Sequence, residues 1–115
     1  MQMTPRTARV HRAAALLRAR RFTASLRKGR SLATHVIAAG VTDPKAVSAV
    51  AGGLRSAAQR LGVAPVRTAR TRRTVRGRSR LRRVQHFTAA QVARLAASYK
   101  PRKPEYVAAV ILLTA

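Results

Sequence analysis

Gly40-Val41-Thr42-Asp43-Pro44, with the run from Lys45 to Leu61 behind it, decides how this chain is read. Thr42 or Asp43 is placed to cap a helix, Pro44 suits its first turn, and Gly62 suits its stop. Val47, Val50, Ala51, Leu54, Ala58 and Leu61 recur at helical spacing and predict one apolar stripe. The opposite face carries Lys45, Ser48, Gly52, Ser56 and Gln59, with Arg55 at its edge and no acid after Asp43. Gly52 leaves a gap in that face through which a backbone or a base edge can come close. The pair Gly52-Gly53 costs about 1 kcal/mol per glycine against alanine, so a kink or a tight helix crossing is the competing reading. Upstream, Ser31 to Ala39 reads as a shorter helix ending at Gly40, with Leu32, Val36 and Ile37 on its apolar face.

A helix, a glycine turn and a capped second helix make a helix-turn-helix arrangement. Composition bears on what such a pair would meet. In 115 residues there are 25 Lys+Arg and only two acids, Asp43 and Glu105, for a net charge of +23. Such a chain repels itself unless a polyanion neutralises it. Nucleic acid is the first partner this implies, and an anionic membrane surface the weaker one. Only four of the cations are lysines, and arginine can grip phosphate or guanine with two bonds at once. A GC-rich coding sequence also favours arginine and alanine, but it does not account for two acids in the whole chain.

The same composition argues against other classes. There is no cysteine, hence no disulfide framework or thiolate metal site. His11, His35 and His86 are far apart and lack neighbouring acids, so no metal, cofactor or catalytic role is assigned to them. Paired-carboxylate chemistry has almost nothing to work with, and no enzyme is expected. The longest apolar run, Val107 to Leu113, is far short of the ~20 residues a membrane span needs. The arginine-rich start resembles a transit peptide, but the shortage of acids runs through the chain and is not local to it. A cytoplasmic, nucleoid-associated protein is the expectation.

Taken in order, residues 1–30 read as a basic N-terminal arm: a frayed start, then a helix from Thr7 to about Arg27. Ala8, Ala15, Ala19, Phe22 and Leu26 share one face, flanked by Leu16, and Arg20 and Arg21 are among the cations around it. It can be a core helix that touches phosphates, an arm that folds on its ligand, or a helix lying on a membrane. Residues 31–115 then form the main domain. Between 65 and 86 comes the most basic stretch, with Arg67, Arg70, Arg72, Arg73, Arg76, Arg78, Arg80, Arg82 and Arg83. Thr68, Thr71, Thr74 and Val75 suit a strand, Arg76 to Ser79 a turn, and Leu81 to Phe87 a return strand. The alternative is a disordered basic loop, since arginines fall on both faces. Thr88 and Gln91 then spell a capping box, with Phe87 as its staple. Val92, Leu95, Ala96 and Tyr99 give the next helix its stripe, and Pro104 starts a strongly apolar last helix. That helix must be covered by the core or by a second copy of the chain. The core is alanine-rich and thin, so modest stability is expected without a ligand.

Residues 31–87 resemble the second and third helices and the wing of winged helix-turn-helix DNA-binding proteins. The matching features are Gly40-Val41 at the turn, the Val47/Val50/Leu54/Leu61 stripe, and Gly62-Val63 leading into the hairpin. The resemblance implies a mainly α fold with a β-hairpin wing, with Lys45, Ser48, Gly52, Arg55, Ser56 and Gln59 facing the major groove. The arginines from Arg70 to Arg83 would follow phosphates or enter a minor groove. His86 to Leu113 is similar to the lead-in to the catalytic domain of tyrosine recombinases, but the chain has neither the catalytic arginine nor the tyrosine motif that would follow.

The leading expectation is a double-stranded DNA binder, a regulator or accessory factor of a high-GC bacterium, phage or plasmid. An RNA-binding or ribosome-associated protein comes second. The only aromatics for stacking bases are Phe22, Phe87, Tyr99 and Tyr106, and the last three read as staple or core. Third is a packaging protein of a capsid interior or nucleoid that reads no sequence.

Overall fold

The structure, a computed structural model, describes residues 4–114. Among these residues, five helices and a small antiparallel sheet make a mainly α architecture: α1 Pro5–Lys28, β1 Arg30–Ser31, α2 Leu32–Ala38, α3 Pro44–Leu61, β2 Arg67–Val75, β3 Arg78–Phe87, α4 Ala89–Ser98 and α5 Pro104–Thr114. The sheet runs in the order β1-β3-β2.

The α2–α3 pair forms as its punctuation dictates. Ser31 caps α2 by accepting from the Thr34 amide, and Asp43 caps α3 by accepting from the Lys45 amide. Gly40 lies at φ 107° in the turn, and Gly62 closes α3 in the left-handed region at φ 69°. Ala46, Val47, Val50, Ala51, Leu54, Ala57 and Ala58 are the buried face of α3. Leu61 was expected in that stripe but is exposed, because α3 ends there and its last turn projects past the core. Ile37 is likewise exposed, while His35 takes the inward place beside Val36.

One core collects Leu32 and Val36 from α2, the α3 stripe, Phe87 at the end of β3, Val92, Leu95 and Ala96 from α4, and Ala109 and Val110 from α5. Phe87 is more than a staple: it is 1% exposed and is the largest side chain in the core. The expected capping box closes at both ends. Thr88 N–H donates to Gln91 Oε1 at 2.9 Å, and Gln91 N–H donates to Thr88 Oγ1 at 3.2 Å. The side-chain Nε2 of Gln91 also donates to the Ala64 carbonyl at 2.9 Å, fixing the link between α3 and β2.

Two elements differ from expectation. None of the residues of α1 is buried, and only Ala8, Ala14, Ser25 and Leu26 are half-covered. It packs against β1 and α4 and is not a core helix. The reason lies in its faces: small alanines line one side, while Val10, Leu16 and Leu17 are scattered among arginines elsewhere. Strand β1 was not foreseen. Gly29, at φ 130°, turns the chain out of α1, so that Arg30 pairs with Phe87 and Ser31 with His86. The arm is thereby stitched into the sheet of the main domain. Helix α5 is only half covered: Val107, Ile111 and Leu112 stay exposed. Among the described residues, no helix is long and apolar enough to cross a membrane.

Candidate nucleic-acid interface

The outward face of α3 holds every residue expected there. Lys45, Ser48, Arg55, Ser56 and Gln59 are exposed and Gly52 is half-exposed among them. The 3.6-residue period sends the alanine and valine positions inward, so these six face outward together. The two glycines separate cleanly. A methyl built on Gly52 would meet nothing within 4 Å, so Gly52 is an opening in the outward face. A methyl built on Gly53 would overlap the Tyr99 ring, so Gly53 is the tight crossing. Ser56 is partly committed: its hydroxyl donates to the Gly52 carbonyl at 3.1 Å, leaving its lone pairs free to accept.

Strands β2 and β3 form a two-stranded ribbon whose register runs from Arg67 opposite His86 to Val75 opposite Arg78. The turn is tighter than the four residues expected. Arg76 (φ 52°) and Gly77 (φ 74°) are its two central residues, both left-handed, as a two-residue hairpin turn demands. From Arg70 to Arg83 every residue is exposed, so this part of the ribbon stands off the core. Side chains directly opposite share a face. Arg73, Arg78, Arg80 and Arg82 fall on one face with Thr71 and Val75, and Arg70, Arg72 and Arg83 fall on the other with Leu81. Arg73 lies opposite Arg80, and Arg70 opposite Arg83. Like charges in such positions are destabilising.

Arg67 has an internal role that the sequence did not disclose. Its Nε donates to His86 Nδ1 at 3.1 Å and its Nη2 to the Gly29 carbonyl at 2.7 Å, clasping the base of the ribbon to the end of α1. His86 must therefore be unprotonated at Nδ1. Burial first, then the charges of Arg67 and Arg30 and of His35, hold its pKa below the ordinary imidazole value. His35 is buried and its Nε2–H donates to the Phe87 carbonyl at 2.6 Å. Burial lowers its pKa too; the bond to Phe87 works against this and the charge of Arg30 with it.

Arg20 and Arg21 are exposed on α1, which packs chiefly on β1 and α4. The acids sit elsewhere: Asp43 at the start of α3 and Glu105 in the first turn of α5 line one open groove with Gly40, Val41 and Ala108. A second cleft, of about 460 Å³, lies where α3 meets the end of α4 and is lined by Gly53, Ser56, Arg60, Ser98, Tyr99 and Lys100. Of these six, only Ser56 was singled out in the sequence as a ligand contact. The others come together through the Gly53–Tyr99 crossing, a long-range contact with no local signature. No protein-family model, no curated protein and no solved structure matches the chain.

Proposed function

We propose that the chain binds double-stranded DNA as a small regulator or accessory factor, with α3 against base edges and the β2–β3 ribbon on phosphates. The observation that carries this reading is the outward face of α3. It is polar and cationic, lacks carboxylates after its cap, and takes no part in the core. Two further features support it. The mainly α architecture, with an antiparallel β-hairpin after a capped helix pair, is compatible with what the resemblance to winged helix-turn-helix proteins implies. The arginine ribbon follows directly on α3, where that resemblance puts a wing. In this reading Lys45, Ser48, Arg55, Ser56 and Gln59 contact bases, Gly52 admits a close approach, and the arginines from Arg70 to Arg83, with Arg20 and Arg21, supply sequence-independent attraction. The exposed Val107, Ile111 and Leu112 of α5 would meet a second copy, and the protein would reside on the nucleoid of a high-GC bacterium or serve its phage or plasmid.

The ribbon favours a second reading. A cationic strand pair charged on both faces needs no base contacts, and serves an RNA-binding or packaging protein equally well. A salt titration separates the two, using random duplex DNA, genomic fragments from the source and structured RNA. With about six phosphates neutralised, log affinity falls against log salt with a slope near −5. The proposal expects some genomic fragments to stay bound at salt that releases random duplex. Equal release of all duplexes, or RNA outlasting them, overturns it in favour of the second reading.

A further inference from the structure

The cleft between α3 and the end of α4 is chemically distinct from the outward face of α3, although Ser56 belongs to both. Its two cations, Arg60 and Lys100, are exposed, and both acids of the chain lie in the other groove, beside Gly40 and α5. Arg60 reaches across the cleft, its Nη2 donating to Ser98 Oγ at 3.4 Å. That bond is long and uses one of five N–H donors, and it leaves the Ser98 proton free to point into the cleft. Tyr99 forms the floor. Its ring lies over Gly53 so closely that the hydroxyl stands where a side chain at 53 would be, and only a glycine lets it in.

We propose that this cleft is a phosphodiester-binding subsite, taking one backbone phosphate of a nucleic acid strand that runs along the edge of α3. The proposal rests on the nucleic-acid reading above and adds a contact to it. The residues lining the space carry four kinds of donor: the Arg60 guanidinium, the Lys100 ammonium, and the Ser98 and Tyr99 hydroxyls. A tetrahedral anion with acceptors on all sides matches donors arriving from several directions. About 460 Å³ of open cleft is more than a lone inorganic anion fills, and leaves room for the flanking sugars. The location also fits. Ser56 precedes Gln59 and Arg60 by about one helical turn, so an element reading bases with Ser56 and Gln59 has Arg60 at its flank, where a strand backbone passes.

The test uses the full chain on random duplex DNA, and the parent also on structured RNA, across a salt series, comparing the parent with the double variant Arg60→Gln/Lys100→Gln and with the control Lys103→Gln. Lys103 lies over the Tyr106 ring, 5.5 Å from its centroid, and does not line the cleft. Both cleft cations are exposed, so the double variant should keep the parent's circular dichroism and melting profile. Loss of one phosphate contact makes the slope shallower by about 0.9 in the double variant, and leaves it unchanged in the control. A double variant with the parent's slope and affinity overturns the subsite while leaving the DNA-binding reading intact. So does an equal change in the control, which would mark a general effect of charge. A parent that binds neither duplex nor RNA overturns the nucleic-acid reading, and the subsite with it.

Discussion

At the scale of single residues, adjacent glycines do opposite work. Gly52 faces open space and Gly53 faces the Tyr99 ring, though both sit mid-helix one residue apart. Replacing Gly52 with alanine removes a helix-propensity penalty without a clash, and should stabilise the protein by up to about 1 kcal/mol. Replacing Gly53 brings the same propensity gain but drives the ring out of its seat, and overpacking of this kind costs about 1–3 kcal/mol. Urea melts of Gly52→Ala and Gly53→Ala should therefore move the midpoint in opposite directions. If both variants gain stability, Tyr99 is not held by Gly53. The sequence allowed either an opening or a tight crossing for this pair, and nothing local says which glycine does which. The answer depends on Tyr99, 46 positions beyond Gly53, meeting α3 at this point.

At the scale of elements, what was legible followed from local chemistry. The bounds of α3 came from Asp43, Pro44 and Gly62, and the α4 capping box from Thr88 and Gln91, because caps and stops act within a few residues. The hairpin was legible as strand, turn and strand, but its turn and register depend on pairing between strands. Strand β1 was illegible, since two residues carry no periodic signal and exist as a strand only by pairing with Phe87 and His86. The exposure of α1 is also a tertiary fact: it is capped and continuous, yet offers no stripe wide enough to bury. The proposed division of binding between α3 and the ribbon can be measured. Arg55→Ala/Gln59→Ala should reduce the preference for a selected site, with affinity for random duplex reduced much less, if those side chains face bases as proposed. Arg73→Ala/Arg80→Ala should lower affinity for every duplex alike and make the salt slope shallower by up to about 2. Competition binding with selected and random duplexes checks both. A change in preference caused by the ribbon variant alone would move base reading from α3 to the ribbon.

At the scale of the whole molecule, two histidines tie the arm, the sheet and α2 together. His35 joins α2 to the end of β3, and His86, through Arg67, joins the ribbon to the end of α1. Both have pKa values held below the ordinary imidazole value of about 6.5, so both stay neutral in the folded chain where the unfolded chain takes up protons. The unfolded state then binds more protons, and stability rises with pH through that window. Their contribution is fully present above about pH 6.5 and is lost as pH falls from there through the folded-state values. The melting temperature should be level between pH 8 and 7 and decline below about 6.5. In His35→Gln/His86→Gln the decline should be much reduced. An equally steep decline in that variant would assign the effect to other groups.

The two-sided distribution of charge on the ribbon has a consequence for stoichiometry. A polyanion laid against the face of Arg73, Arg80 and Arg82 leaves Arg70, Arg72 and Arg83 uncompensated behind it. One partner satisfies both faces only by enclosing the ribbon, as the walls of a groove can. Otherwise the ribbon has a valence of two, and a second strand is drawn to its bare side. The ratio of protein to polyanion then sets the outcome. Where polyanion is plentiful, each ribbon joins two segments and draws them into a network, and where protein is plentiful, each segment is coated and the network dissolves. Whether the ribbon is enclosed or exposed on its ligand is thus written in turbidity as a function of mixing ratio, before any contact is resolved.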